Sequence, residues 1–227
     1  MNNHKQAGSF PRNGNGNHTA NGNGNGNGKN GNGNGSLTRA GRTSQLLLFA
    51  LNFLKHPNKI GWFLPSSRFV VNEVLKQIDW NNARVIVEYG PGLGTFTEDI
   101  LQRMRPDATL IAFETNEEFY KYLSRSLQDP RFHLLHESAT EIGPALQRLG
   151  LPPADYVISG IPFKTMPEEV CGAIVRNTHA ALRPKGEFLV YQLSTAVRPY
   201  LESVFGRVRQ DFELLNIPPG RLFYCAR

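Results

Sequence analysis

The sequence predicts an α/β fold: a doubly wound, mostly parallel seven-stranded sheet with a C-terminal antiparallel hairpin, preceded by a disordered tail. Three observations carry this expectation. Residues 84–94 run from an apolar strand (Val85, Ile86, Val87) through Glu88 into a glycine-rich turn, and residues 95–103 continue with a helical pattern. From there, short apolar runs alternate with helix-like segments, the order that builds a parallel sheet. The last two runs are joined only through Pro218-Pro219-Gly220, a connection suited to antiparallel neighbours rather than a crossover.

Taken in order, residues 1–42 form the tail. Residues 13–35 are mostly alternating Asn-Gly with no aliphatic side chain beyond the methyl of Ala20 and no Phe, Tyr or Trp to bury, so this stretch is expected to be a flexible arm. Asn-Gly is also a hairpin signal, but it needs flanking apolar strands that are missing here. Asn17-His18-Thr19 matches a glycosylation acceptor; without a secretory signal it reads as a chance match. Residues 43–80 carry two expected helices. Thr43-Ser44 can cap the first, which runs to about His56 before Pro57 stops it. The second covers about 67–78, with Val70, Val71, Val74, Leu75 and Ile78 at helical spacing. Residues 81–227 hold the sheet. Strands are expected at 110–113, 132–135, 156–158, 188–191, 212–216 and 221–225. Helices are expected at 116–127, 142–149, 167–182 (Pro167 in its first turn) and 196–205.

The net charge of +6 is unevenly placed. Lys5, Arg12, Lys29, Arg39 and Arg42 fall in the first 43 residues with no acid among them, and the first acid is Glu73. The other 20 basic residues face all 19 acidic ones, so the remainder is nearly neutral. A basic N-terminal region suits an anionic partner, either membrane lipid or nucleic acid. The apolar run at 46–54, interrupted only by Asn52, is about half the roughly 20 residues needed to span a bilayer. It can lie in a membrane interface with Arg42, Lys55 and Lys59 at its flanks and Trp62 and Phe63 at the headgroup boundary, or pack its leucines against the sheet.

The glycine turn points to a cofactor. Gly90, Gly92 and Gly94 can adopt positive φ and lack a Cβ, so backbone can approach a bulky ligand. A dinucleotide fingerprint has G-x-G-x-x-G with its acid well downstream, whereas here Glu88 directly precedes G-x-G-x-G. An acid at that place repels a pyrophosphate and suits a cationic amino-acid end, as in S-adenosylmethionine. Glu114 ends the next strand 20 residues beyond Gly94, where a carboxylate can accept hydrogen bonds from both ribose hydroxyls. The alternative reading makes both residues ordinary strand-end acids.

Cys171 and Cys225 are isolated, His133 and His136 flank a strand, and none has metal-ligand spacing, so no metal is expected and a reducing cytoplasm is the natural compartment. The candidate reaction loop is Ser159-Gly160-Ile161-Pro162-Phe163, after a strand whose end also faces the cofactor crevice. Gly160 allows a sharp turn, Pro162 stiffens it, the Ser159 hydroxyl can aim into the pocket, and Phe163 can cover the acceptor or a developing ammonium. It can equally be a loop that merely leaves a strand.

These motifs resemble the Rossmann-like class I S-adenosylmethionine-dependent methyltransferases, in the branch shared by ribosomal RNA adenine dimethyltransferases and bacterial phospholipid N-methyltransferases. The adenine enzymes carry Asn-Leu/Ile-Pro-Tyr/Phe in the reaction loop; Gly160 stands at the Asn position. The stretch from Phe53 through Pro65-Ser66-Ser67, the Ser-Gly pair and the ending Asn216-Ile217-Pro218-Pro219-Gly220-Arg221 are similar to the phospholipid enzymes. The resemblance covers about residue 53 to the end. It implies that Glu88, Gly90, Pro91, Gly92 and Gly94 form the cofactor turn, Glu114 holds the ribose, and Ser138-Ala139 meets the adenine. It also implies that Ser66 and Ser67 close over the methionine end, and that Ser159 and Gly160, with Pro162 and Phe163, face methyl and acceptor.

The expected chemistry is in-line attack of a neutral amine on the cofactor's methyl, with Tyr191 or Ser159 accepting the amine's proton directly or through water. The expected acceptor is the primary amine of a membrane phospholipid, phosphatidylethanolamine first and ornithine lipid as a close variant, met by a cytoplasmic enzyme bound peripherally to the inner membrane face. The alternatives are an RNA adenine dimethyltransferase, disfavoured by Gly160 and by the missing helical domain after the sheet, and a non-catalytic lipid-binding module on the same fold.

Overall fold

The computed structural model describes residues 68–213 and 220–227. The Asn-Gly arm, the helix expected over 43–56, Ser66, Ser67, Pro218 and Pro219 lie outside the described residues.

Helix α1 (Arg68–Leu75) leads to β1 (Val85–Tyr89), α2 (Thr95–Arg103), β2 (Thr109–Phe113), α3 (Glu117–Ser126) and β3 (Phe132–Leu135). A 3₁₀ turn at Ala139–Glu141 then precedes α4 (Ile142–Arg148), β4 (Ala154–Ser159) and a second 3₁₀ turn at Phe163–Thr165. The chain finishes with α5 (Glu168–Ala181), β5 (Leu182–Gln192), α6 (Arg198–Val204), β6 (Arg207–Glu213) and β7 (Gly220–Ala226).

The seven strands lie in the order β3-β2-β1-β4-β5-β7-β6. The first five are parallel, and β7 is antiparallel to both β5 and β6. All five residues of central β1 are buried, as a parallel strand covered on both faces requires. Alternate residues feed two cores. Val85, Val87 and Tyr89 pack with Ile142, Ile174, Val175 and Leu201 of α4, α5 and α6. Ile86 packs on the other face with Val70, Val74 and Leu75 of α1 and Phe96 and Ile100 of α2. The order reverses beside β1, whose carboxyl end therefore opens onto a crevice rather than a covering helix.

Local signals explain most boundaries. Asn116 caps α3 by accepting from the Glu118 and Phe119 amides, with Glu117 and Glu118 in the first turn. Pro167 caps α5 from outside rather than sitting in its first turn, with φ −57 and ψ 141.

Two strands differ from expectation. β6 begins at Arg207 and ends at Glu213, displaced from the apolar run expected at 212–216. It is the outer edge of the sheet, where one backbone ladder suffices and charged side chains guard the open side, so hydrophobic periodicity does not mark it. β5 begins at Leu182, well before Phe188, and carries a register shift against β4. A side chain at Gly186 would meet the carbonyl oxygens of Arg183, Asp155 and Ala154 at 2.9–3.1 Å, so this irregular start depends on glycine and leaves no alternating pattern.

Asp155 fixes the opposite end of the sheet. Its Oδ2 accepts from the Arg84 and Val85 amides, both at 2.8 Å, and its Oδ1 from Arg183 Nε. Removing the carboxylate leaves those amides without their acceptor at a buried position. Asp155→Ala is expected to cost roughly 2–3 kcal/mol in urea denaturation; a loss indistinguishable from zero would mean that water replaces the carboxylate.

Candidate active site

The turn after β1 is built from three residues in the left-handed region: Gly90, Gly92 and Gly94, with φ of 69, 55 and 82. Gly94 opens α2, its carbonyl accepting from the Glu98 amide at 2.9 Å. The Gly90 amide donates to the Phe113 carbonyl at 2.9 Å, tying the turn to β2. A Cβ at Gly90 would stand 2.8 Å from Ile161 Cγ2, and one at Gly94 2.9 Å from Leu123 Cδ2. The turn is therefore pressed between the loop after β4 and helix α3, and only glycine satisfies both dihedral and space there.

Two carboxylates lie beside it. Glu88 is 3% exposed and accepts from Thr97 Oγ1 at 2.7 Å. Burial pushes its carboxyl up to about 8; the Thr97 bond opposes the rise and the Glu114 charge adds to it. Glu114 is also buried, and its pKa is raised by burial against the lowering effect of backbone amides. Its Oε2 accepts from the Gly92 amide at 3.1 Å and its Oε1 from the Asn116 amide at 2.8 Å. Glu114 thus braces the glycine turn from β2, a contact that the expectation of a purely ribose-directed role did not include.

The segment after β3 packs against this region. Ser138 caps the 3₁₀ turn, its Oγ accepting from the Thr140 amide at 3.3 Å, and Ala139 is buried. Tyr120 stacks on His136 at 4.9 Å between ring centroids, and His136 Nε2 lies 3.2 Å from the Thr115 carbonyl.

The loop after β4 meets the turn directly. The Gly160 amide donates to the Tyr89 carbonyl at 3.1 Å, and the Ile161 side chain covers Gly90. Gly160 is exposed, and a Cβ there would have only the Gly90 carbonyl oxygen near it, at 4.0 Å. Pro162, with φ −82 and ψ 80, starts the 3₁₀ turn that follows. Phe163 corrects the expectation of a cover over the acceptor. It is 2% exposed and joins the core with Cys171, because a ring on so tight a turn is more stable packed inward than hydrated. Ser159 is fully buried on the face that Val157 shares, and its Oγ has no hydrogen-bond partner, so in this structure it does not reach into the crevice. Tyr191 is half-buried on the opposite face, its ring lying over Gly220.

Sequence reasoning missed Thr97 and Gln192. Thr97, a polar residue on the buried side of α2, is signalled only by its position nine residues after Glu88. Gln192 is buried at the end of β5 and donates to the Ile161 carbonyl at 2.6 Å. Its place directly after the apolar run 188–191 is its one sequence signal.

A glycine-rich turn flanked by two carboxylates fits a bulky nucleoside with a cationic amino-acid end: the glycines admit its close approach to backbone and the acids match its ammonium and hydroxyls. Among the described residues, no group of three or more His, Cys, Asp or Glu is arranged to hold a metal ion.

Sheet order and turn together define a methyltransferase-type α/β domain. The precorrin-6y C5,15-methyltransferase of Geobacter metallireducens superposes with a TM-score of 0.57 at 16% identity, over 73% of this chain and 91% of its own. Residues 62–145 match the ribosomal RNA adenine dimethylase family. An ornithine lipid N-methyltransferase of Singulisphaera acidiphila is 31% identical over 180 residues, 78% of this chain and 94% of that protein. Ribosomal RNA small subunit methyltransferase A of Dehalococcoides mccartyi is 26% identical over 183 residues, and this chain spans 59% of its length. The chain belongs to the class I S-adenosylmethionine-dependent methyltransferases, in the family that includes the ornithine lipid N-methyltransferase. It is an N-methyltransferase, and S-adenosylmethionine is its cofactor.

The raised Glu88 pKa has a signed consequence for the cofactor-free protein. Between its ordinary value of 4.5 and about 8, the folded chain keeps a proton that the unfolded chain has released. Stability from this group is therefore greatest at acid pH and falls as pH rises through that window. Glu88→Gln, which can still accept from Thr97, removes the loss. The urea midpoint of E88Q relative to the parent is expected to climb steadily between pH 5 and 8.5, and parallel midpoints would show that Glu88 is ionised throughout. Gly90→Ala is expected to weaken cofactor binding at least about tenfold, since strain of about 1–2 kcal/mol from positive φ adds to the clash with Ile161; calorimetric titration with S-adenosylmethionine measures it.

Proposed function

We propose that this enzyme methylates the primary amine of a membrane lipid headgroup, with an ornithine lipid as the first candidate and phosphatidylethanolamine as the second. The observation that carries the reading is Gly160. The adenine dimethylases that the sequence resembles place an Asn amide at this position, and here there is no side chain and open space in its direction. An acceptor without an adenine edge to hold suits such a position, whereas a base would lose its hydrogen-bonding partner. The similarity to an ornithine lipid N-methyltransferase over 94% of that protein supports the same choice, and for that reason we put ornithine lipid before the phospholipid.

The cofactor supplies an electrophilic methyl group. The chain's part is to position and to exclude water. Glu88 and Glu114, supported by Thr97 and by the amides of Gly92 and Asn116, hold the cofactor side. Ser138-Ala139 would take the adenine end, and Ser66 and Ser67, assigned by the resemblance alone, the methionine end. The loop at Gly160 and Ile161 presents the amine from across the junction, and proximity of the two reactants supplies much of the rate. The amine must arrive neutral; a partly desolvated crevice favours that form, and the Tyr191 hydroxyl, through water, is the proton acceptor we assign, since the Ser159 hydroxyl is buried away from the crevice.

The apolar run at 46–54, flanked by Arg42, Lys55 and Lys59, is the segment we assign to the inner membrane surface. No helix among the described residues is long and apolar enough to cross a membrane.

Purified enzyme, labelled S-adenosylmethionine and two acceptors test the reading: vesicles containing ornithine lipid, phosphatidylethanolamine and an anionic lipid, and unmodified ribosomal RNA. Label is expected in lipid, with chromatography naming the headgroup; label in RNA alone would refute the proposal. Glu114→Ala is expected to weaken cofactor affinity by about 10- to 100-fold, the loss of hydrogen bonds to a charged group at about 1.5–3 kcal/mol. An unchanged dissociation constant would remove Glu114 from the cofactor site.

A further inference from the structure

We infer that Gln192 is the positioning residue of the acceptor loop: its side-chain amide clamps the Ile161 carbonyl and so sets how closely residues 159–163 approach the glycine turn. The inference rests on that loop being the acceptor side of the site.

Gln192 closes β5 beside β4 and is 6% exposed, a place where an uncharged polar side chain must find its partners inside the protein. Its Nε2 donates to the Ile161 carbonyl at 2.6 Å and to the Tyr191 carbonyl at 2.7 Å. Both amide protons are thereby used. Both partners can only accept, so the side chain has one sensible orientation, with nitrogen toward the loop. The Ile161 carbonyl also receives the Phe163 amide at 3.0 Å, which closes the following turn on itself. The Gln192 bond, in contrast, anchors the loop to the neighbouring strand.

What the clamp holds is the loop residue that touches the cofactor turn. Ile161 Cγ2 stands where a side chain on Gly90 would be, and the preceding Gly160 amide bonds the Tyr89 carbonyl. A line of contact therefore runs from β5 through Gln192 and Ile161 to Gly90. Pro162 cannot contribute an amide proton of its own, and Gly160 has no side chain. Release of the Gln192 bond frees the loop from β5 while leaving the glycine turn and both carboxylates as they are. A displacement of about 1 Å between donor and acceptor can cost about 100-fold in rate. The clamp should thus appear in kcat and not in cofactor affinity.

Two near-isosteric variants of the full chain separate this from general packing. Gln192→Met keeps length and lacks donors. Gln192→Glu presents a carboxylate to two carbonyl oxygens, and regains one donor when protonated. Hydrogen exchange, cofactor titration, and kcat and KM on the acceptor that the parent enzyme labels form the test. In both variants we expect faster exchange across residues 159–166, unaltered exchange in β1 and β2, and an unaltered cofactor dissociation constant. We expect kcat to fall about 10- to 100-fold with little change in KM. The rate of Q192E relative to the parent should recover as pH falls from about 8 toward about 5.5, while that of Q192M should not. Unchanged exchange across the loop in Q192M would overturn the clamp, and this holds whatever the acceptor is, since exchange is read without one. Faster loop exchange with unchanged kcat would overturn the inference by removing the loop from the reaction. A parent enzyme that labels no lipid refutes the headgroup reading alone and leaves the exchange result to decide the clamp.

Discussion

The close approach of two chain segments at the carboxyl ends of β1 and β4 organises this molecule. Gly90 and Ile161 occupy one small volume, with a would-be Cβ only 2.8 Å from Cγ2. The Gly160 amide closes the same junction onto the Tyr89 carbonyl. Everything with chemical potential stands around that contact. The glycine turn lies on one side, the loop after β4 on the other, and the acids approach from β1 and β2. The parallel sheet makes the meeting possible, because pairing in register brings Tyr89 and Ser159 to the same level. A side chain at Gly90 would push the two apart and impose a dihedral that most residues resist.

Electrostatics place a second constraint on the same region. Two carboxyl groups are buried near each other, a costly arrangement unless their oxygens are hydrogen-bonded or one keeps its proton. Both remedies are present. Glu114 is satisfied by backbone amides at Gly92 and Asn116, whereas Glu88 has one hydroxyl, from Thr97, and the higher proton affinity. A site of this kind is primed for a ligand that brings positive charge and hydroxyl donors. The acids therefore couple the local fold to cofactor chemistry: Glu114 stabilises the turn through the Gly92 amide, and Glu88 is tied to α2 through the Thr97 hydroxyl.

Activity and acceptor choice are separate properties of this architecture. The sheet is shared with methyltransferases at 16% identity, so it speaks for fold alone. Cofactor use follows from family membership together with a turn that matches it. In the function we propose, acceptor choice rests on far fewer atoms, chiefly what occupies position 160 and how the loop around it is held. Loss of a side chain there removes a hydrogen-bonding group and opens space in one step, which is how closely related enzymes can come to serve different amines.

Much of this was legible in the chain. Central strands and their helices are marked by apolar runs and caps, since buried parallel strands must be apolar throughout and helix ends must satisfy orphan amides. The Glu88–Gly94 turn and the strand-end acid Glu114 could be read because their residue types are dictated by backbone geometry and charge. The sequence did not disclose the irregular start of β5, the position of edge strand β6, the inward turn of Phe163 or the buried state of the Ser159 hydroxyl. Each depends on partners far away in the chain, such as the carbonyls around Gly186 or the ladder offered by β7. Thr97 and Gln192 are of the same kind. By itself the sequence determined the class of fold and the glycine turn after β1, because local rules of propensity, capping and glycine dihedrals suffice for those. Only the tertiary structure decided which side of each strand end faces the crevice, and that a glutamine from β5 holds the loop against Gly90, because those facts arise from pairing register and packing between distant segments.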